Sequence, residues 1–210
     1  ITERLLSGEP VQYVLQQAWF AGSWFKVHSG VLIPRPETED LCYWIANQPT
    51  LSSLSNPKIL DIGTGSGCIA ITLSQLIKNA QTTAWDIAPE ALSLAKENAK
   101  AMNVPLEVME QDALNAPCDH EKWDIVVSNP PYITPKEQSE MEANVLQFEP
   151  DCALFVPENN PLIFYKAITH YAQKALVQGG ALFFEINPLF VSEMKNLLAE
   201  SGFADIEVLI

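Results

Sequence analysis

Four consecutive residues, Asn129-Pro130-Pro131-Tyr132, carry the clearest chemistry in this sequence. Pro131 drives Pro130 towards an extended conformation, and neither proline has an N–H to offer. The Pro130 carbonyl is thereby left free of competition from local donors. With the Asn129 side-chain oxygen it can accept both hydrogens of an incoming NH2 group and aim its nitrogen at an electrophile. Tyr132 adds an aromatic face on which a planar amide or a base can stack. A rigid strand-to-loop turn is the plainer use of the same residues. His28, His120 and His170 read as surface or packing residues, so the chemistry this segment suits is governed by alignment rather than by a strong base.

A second group of residues points to a bound small molecule. Gly63-Thr64-Gly65-Ser66-Gly67 follows Asp61-Ile62, and glycines at alternate positions let backbone approach a ligand that a Cβ would exclude. Cys68 stands where the dinucleotide fingerprint counted from Gly63 needs Gly or Ala, and the phosphate-loop G-x-x-x-x-G-K-[ST] is absent. Asp86 lies 23 residues after Gly63, where a carboxylate at a strand end can accept hydrogen bonds from ribose hydroxyls, and Asp112-Ala113 follows the next strand. Both aspartates could equally cap turns or helices.

The elements that must position these groups alternate between short apolar strands and longer helical segments, the pattern of parallel strands joined by crossover helices. Strands are expected at 58–62, 82–86, 106–109, 124–128 and 181–186, with a last one after Gly202. Helices are expected after Gly67, from Pro89 to an Asn103 stop, from Leu162 to Leu176 with Gly179-Gly180 as the C-terminal cap, and from Val191 to Ala199. The fold class is α/β, an open, mostly parallel twisted sheet with helices on both faces. Ligands in such sheets bind outside the carboxyl ends of the strands, which gathers Gly63–Gly67, Asp86, Asp112 and Asn129 at one edge. Residues 1–55 read as a linker with a hairpin within 12–31, a helix carrying Leu41, Trp44 and Ile45, and a polar connection over 48–57. Residues 56–210 read as the main domain.

Composition narrows the partners. The formal net charge is −14, with only 12 Lys plus Arg, which weighs against nucleic acid as a direct partner, because phosphate neutralisation dominates that affinity. No apolar run is long enough to span a membrane, and no signal peptide opens the chain. Cys42, Cys68, Cys118 and Cys152 are widely separated, without ligand spacing to histidines, so no metal is expected and the thiols read as reduced in a cytoplasm. A chain that begins at Ile1 and stops within the apolar run 205–210 reads as a piece of a longer protein.

The segments Asp61–Gly67 and Asn129–Tyr132 resemble the class I methyltransferases, whose fold is Rossmann-like. Three further stretches resemble the N5-glutamine methyltransferases of peptide chain release factors: Gly8-Glu9-Pro10-Val11-Gln12-Tyr13, Val31 through Pro34-Arg35-Pro36-Glu37-Thr38-Glu39, and Phe148-Glu149-Pro150. The resemblance implies methyl transfer from S-adenosyl-L-methionine, leaving S-adenosyl-L-homocysteine, to the glutamine of the Gly-Gly-Gln motif of release factors. It implies that Gly63, Thr64, Gly65, Ser66, Gly67 and Asp86 hold the methionine and ribose parts, and that Asp112 and Ala113 lie against adenine. Asn129, also beside the cofactor, would hold the glutamine with Pro130, Pro131 and Tyr132, and Arg35 and Glu37 would line the substrate side. Departures at Phe155–Asn160 and Asn187-Pro188-Leu189 bear on loop geometry, and most of the family's N-terminal helical domain and its last antiparallel strand are missing. A ribosomal-protein glutamine, an adenine N6 acceptor and a non-catalytic S-adenosylmethionine-binding module stand as alternatives.

Overall fold

Short apolar runs form a five-stranded parallel sheet in the computed structural model, which describes residues 1–49 and 54–209. Two short helices, α1 (Thr2–Leu6) and α2 (Val11–Leu15), precede a hairpin of β1 (Gln17–Phe20) and β2 (Ser23–Lys26). Ala21 and Gly22 both take positive φ, 46° and 80°, as a tight two-residue turn between twisted strands requires. The hairpin is narrower than the 12–31 expected, because Val11–Leu15 is helical and the chain leaves β2 as a loop. Pro36 opens α3 (Pro36–Ala46) at a position where its missing N–H costs nothing. Residues 50–53, the middle of the expected polar connection, lie outside the described residues.

The sheet follows as β3 (Lys58–Ile62), α4 (Cys68–Leu76), β4 (Gln81–Asp86), α5 (Pro89–Ala101), β5 (Leu106–Glu110) and β6 (Trp123–Ser128). Short helices α6 (Ala143–Phe148) and α7 (Asp151–Leu154) lead to α8 (Ile163–Ala175), β7 (Leu176–Phe184) and α9 (Val191–Glu200). Strand order is β5-β4-β3-β6-β7, so the direction of winding reverses between β3 and β6. Alternate residues of the central strands serve opposite faces. Ile59, Ile125 and Val127 pack with α3, α4 and Phe20 and Phe25 of the hairpin, while Leu60, Ile62 and Val126 pack with Ile168, Tyr171 and Ala172 of α8. No helix among the described residues is long and apolar enough to cross a membrane.

Two expectations fail here. Helix α8 ends at Ala175, and Gly179-Gly180 lies within β7 rather than capping the helix. Leu176 pairs with Trp123 and Ala181 with Ile125, so residues 177–180 bulge from the ladder. Gly179 takes φ 80°, and a Cβ on Gly180 would sit 3.1 Å from the Asp124 carbonyl. The strand expected after Gly202 is also absent among the described residues: 203–209 form no ladder with β7 and remain irregular.

Candidate active site

The reversal of winding puts two chain exits side by side. Ile62 and Ser128 are register partners, and the Ser128 hydroxyl donates to the Ile62 carbonyl at 2.7 Å, so Gly63 and Asn129 leave adjacent strands at one crevice. The crevice is a half-open cleft of about 1090 Å³, part of it bulk solvent, which is ample for a small organic molecule.

On the β3 side the loop is shaped by its own polar groups. Asp61 is fully buried and accepts from the Thr64 hydroxyl at 2.6 Å and from the Ala70 N–H at 3.2 Å, both on Oδ2. Its Oδ1 has no partner among the described residues. Desolvation pushes the Asp61 carboxyl up to about 7 against the pull of those two bonds. Gly63, Gly65 and Gly67 all take positive φ, 74°, 56° and 82°. Buried Asn98 ties the loop to the hairpin, donating to the carbonyls of Ser66 at 2.8 Å and Lys26 at 3.1 Å. Cys68 opens α4, but burial pushes its thiol up to about 12, so the helix start yields no thiolate.

Asp86 at the end of β4 accepts from the Gly65 N–H at 2.9 Å and the Ala88 N–H at 3.0 Å, one on each oxygen. Each oxygen keeps a lone pair for a ligand. Asp112 lines the cleft and also caps the next turn, accepting from Leu114 N–H at 2.8 Å on one oxygen and from Asn115 Nδ2 at 2.5 Å on the other, so that, like Asp86, each oxygen keeps a lone pair. Apolar Ile87, Ala88, Ala113, Phe164 and Ile168 complete that wall.

Of the site residues expected from sequence, Gly63, Thr64, Gly65, Ser66, Asp86, Asp112, Ala113, Asn129, Pro130, Pro131 and Arg35 all line this cleft. Gly67, Tyr132 and Glu37 do not. Gly67 is the α4 N-cap, packed so closely on α5 that a Cβ would meet the Ala95 backbone at 3.3 Å. Tyr132 turns its hydroxyl to Glu185 Oε1 at 3.2 Å and packs beside Tyr165 and Met194, so its ring is no open stacking face on the cleft. Glu37 is exposed on the first turn of α3.

The comparisons with known proteins agree with this architecture. A methyltransferase small domain family model matches residues 47–148. A release factor glutamine methyltransferase from Bacteroides thetaiotaomicron is 43% identical over 210 residues, covering 98% of this chain and 73% of the relative. Another, from Flavobacterium psychrophilum, is 44% identical over 95% of this chain and 70% of its own. The chain belongs to the release factor glutamine methyltransferase family. The crystal structure of ribosomal protein L11 methylase from Lactobacillus delbrueckii subsp. bulgaricus shares the fold, with a TM-score of 0.59 and 20% identity over 89% of this chain and 79% of that one.

Within this family member, two groups around Asn129 escaped the reading of its motifs as a cleft. The first is a side-chain network beneath the amide. Asn129 Nδ2 donates to Thr38 Oγ1 at 3.3 Å, and Thr38 donates to Glu185 Oε2 at 2.6 Å. Burial raises the Glu185 carboxyl above its ordinary range, opposed by the hydrogen bonds from Thr38 and Tyr132. The second is the Gly30–Pro34 segment, which lies over the glycine loop, with Val31 Cγ1 3.5 Å from where a Gly65 Cβ would be. Buried Glu149 anchors that segment, accepting from Ile33 N–H at 3.2 Å and from Arg35 at 2.5 Å. The Val31–Glu39 and Phe148-Glu149-Pro150 stretches both stood out in the sequence, but nothing in it paired Arg35 with Glu149. No local pattern announced the Thr38 and Glu185 contacts.

Proposed function

We propose that this chain transfers a methyl group from S-adenosylmethionine to the side-chain amide nitrogen of the glutamine in the Gly-Gly-Gln motif of peptide chain release factors. One observation carries the reading: the paired exits of β3 and β6 bring the glycine loop and Asn129-Pro130-Pro131 to the same cleft. Membership in the release factor glutamine methyltransferase family supports the choice of acceptor.

The residues present fit the cofactor. Gly65 at φ 56° lets backbone come close to a ligand, Asp86 offers free lone pairs to vicinal hydroxyls, and Ile87, Ala113 and Phe164 form an apolar wall suited to a flat ring. Gly63 to Ser66 would hold the methionine part, Asp86 the ribose and the Asp112-Ala113 turn the adenine. Asp112 caps that turn with one bond on each oxygen, which fixes its carboxylate at the edge of the cleft. When bound, the cofactor supplies a methyl group on a sulfonium.

The chain's own work is orientation. Asn129 Oδ1 and the Pro130 carbonyl, which no donor among the described residues engages, accept the two hydrogens of the glutamine NH2 and turn its nitrogen towards the methyl group. An amide nitrogen made cationic by attack loses its proton readily, so no residue need act as a strong base. Tyr132 supports the site by holding Glu185, and Arg35, pinned by Glu149, forms the substrate-side wall with Glu37 at the rim. Residues 56–210 thus form the cofactor-binding catalytic unit, with residues 30–35 covering its mouth.

Radiolabelled methyl transfer to a release factor, a ribosomal protein fraction and DNA, run side by side, tests this reading. Label on the Gly-Gly-Gln glutamine is expected. Label on DNA or only on ribosomal protein overturns the acceptor, and no label with intact cofactor binding overturns the activity.

A further inference from the structure

Orientation by Asn129 works only if its amide presents oxygen, not nitrogen, to the cleft, because only the oxygen accepts a hydrogen from an incoming NH2. The two ends of an asparagine amide are nearly alike in shape, so shape alone does not choose between them. We infer that Thr38 and Glu185 make the choice, as positioning residues in a one-way hydrogen-bond relay that fixes Asn129 Nδ2 towards the protein and Oδ1 towards the cleft. The inference deepens the proposed function and rests on its assignment of Asn129.

With Glu185 ionised, held so against the upward push of burial by the hydroxyls of Thr38 and Tyr132, the direction of the relay follows from counting hydrogens. An ionised carboxylate only accepts, and a hydroxyl has one hydrogen to give. Thr38 gives its hydrogen to Glu185 Oε2 at 2.6 Å, which leaves Oγ1 with lone pairs alone. Facing Oγ1, Asn129 Nδ2 makes a hydrogen bond at 3.3 Å, whereas a flipped amide would set Oδ1 against those lone pairs. The carboxylate is held on its other side as well, since the Tyr132 hydroxyl donates to Oε1 at 3.2 Å and the Tyr165 hydroxyl donates to the Glu185 main-chain carbonyl at 3.0 Å. Thr38 is only 2% exposed, so water does not substitute for its hydroxyl. The two positioning residues come from α3 and from the residue after β7, 147 positions apart, and they meet only beneath Asn129. The hairpin-and-helix region therefore supplies the catalytic end of the sheet with the group that orients its acceptor.

Thr38→Val tests the relay by replacing the hydroxyl with a methyl group of the same shape, and Thr38→Ser restores the hydroxyl while losing the methyl. Two readouts are taken: steady-state methyl transfer to a release factor, and hydrogen exchange of the Asn129 side-chain NH2 by NMR of the protein alone, its signal assigned by its loss in Asn129→Ala. Thr38→Val should lower kcat by up to about a hundredfold, with cofactor affinity held, as a misplaced orienting group does. Thr38→Ser should recover activity to within about threefold of the parent. The Asn129 NH2 protons should exchange slowly in the parent and in Thr38→Ser and fast in Thr38→Val. Unchanged turnover in Thr38→Val, or a loss in Thr38→Ser as deep as in Thr38→Val, overturns the relay. If the parent methylates no release factor, the proposed function fails separately, and the exchange rates alone decide: equal exchange in all three proteins overturns the relay and the expected contrast upholds it. Glu185→Gln, which keeps an acceptor oxygen but adds a donor, gives a second variant and should speed exchange less than Thr38→Val.

Discussion

The ends of β4 and β6 face the same cleft but are held by opposite means. Asp86, closing β4, is met by backbone N–H groups of Gly65 and Ala88. Asn129, following β6, is met by the hydroxyl of Thr38, 91 positions away, itself held by Glu185, so its orientation depends on side chains remote in sequence. Backbone donors persist whatever side chains surround them, whereas a side-chain relay can be cut by removing one atom. Asp86 is thus held independently of the side chains around it, whereas Asn129 depends on them.

Asn129→Ala is the strongest way to break the comparison. It removes the amide acceptor and should lower turnover by roughly 10²–10³-fold, the loss seen when one orienting polar group is removed from a site, with cofactor affinity within about tenfold of the parent. Initial rates with calorimetric cofactor binding check it, and equal turnover removes Asn129 from the chemistry. Asp86→Ala should act on the other parameter. Hydrogen bonds from hydroxyls to a carboxylate contribute about 1.5–3 kcal/mol, so cofactor affinity should fall about ten- to a hundredfold. An unchanged dissociation constant takes Asp86 out of the site. Should both variants lower turnover and leave affinity alone, the two sides are not functionally distinct.

The same division separates what the sequence announced from what it hid. Strands β3 to β6 were each placed to within a residue, and the apolar character of β3 and β6 matches their burial between helical layers, whereas β7 begins five residues before the expected 181. The glycine loop, Asp86 and Asn129 followed, because strand ends in such a sheet converge. Asp112 satisfied both readings at once: it reached the cleft and it caps a turn, as the competing reading allowed. Gly179-Gly180 misled for a local reason, since glycines after a helical run serve equally as a cap or as a bulge, and the Asp124 carbonyl that selects the bulge lies far away in sequence. Tyr132 misled because Glu185, its partner, is 53 positions distant. Motifs reveal residue types and backbone demands, but not which distant side chain claims a polar atom.

Gly67 sharpens the backbone-held side. Its φ of 82° and the 3.3 Å from an added Cβ to the Ala95 backbone mean that Gly67→Ala strains the α4 start and crowds α5 together. A loss of about 1–3 kcal/mol is expected by chemical denaturation, with cofactor affinity falling as the loop shifts. Stability within error of the parent would show that this end tolerates change as freely as an ordinary turn.

Asp61 gives the smallest effect on cofactor binding and the most specific one on stability. Its carboxyl is pushed up to about 7 in the folded chain from an ordinary value of 3.8. At a pH below both values the group is protonated folded and unfolded, and contributes no pH dependence. Between them the unfolded chain has lost the proton that the folded chain keeps, so stability falls as pH rises, and above about 7 the penalty is complete and constant. Asp61→Asn cannot ionise but keeps an oxygen for Thr64 and Ala70, so its loop should persist and its cofactor affinity should match the parent's. The melting temperature of Asp61→Asn relative to the parent should therefore climb by on the order of ten degrees from pH 4 to pH 7 and then level off. A difference that stays flat across this range would mean that Asp61 is ionised throughout, which requires its unpartnered Oδ1 to be satisfied in solution. Here the backbone-held end would share the weakness of the relay: a polar atom whose state depends on a partner that the loop itself does not supply.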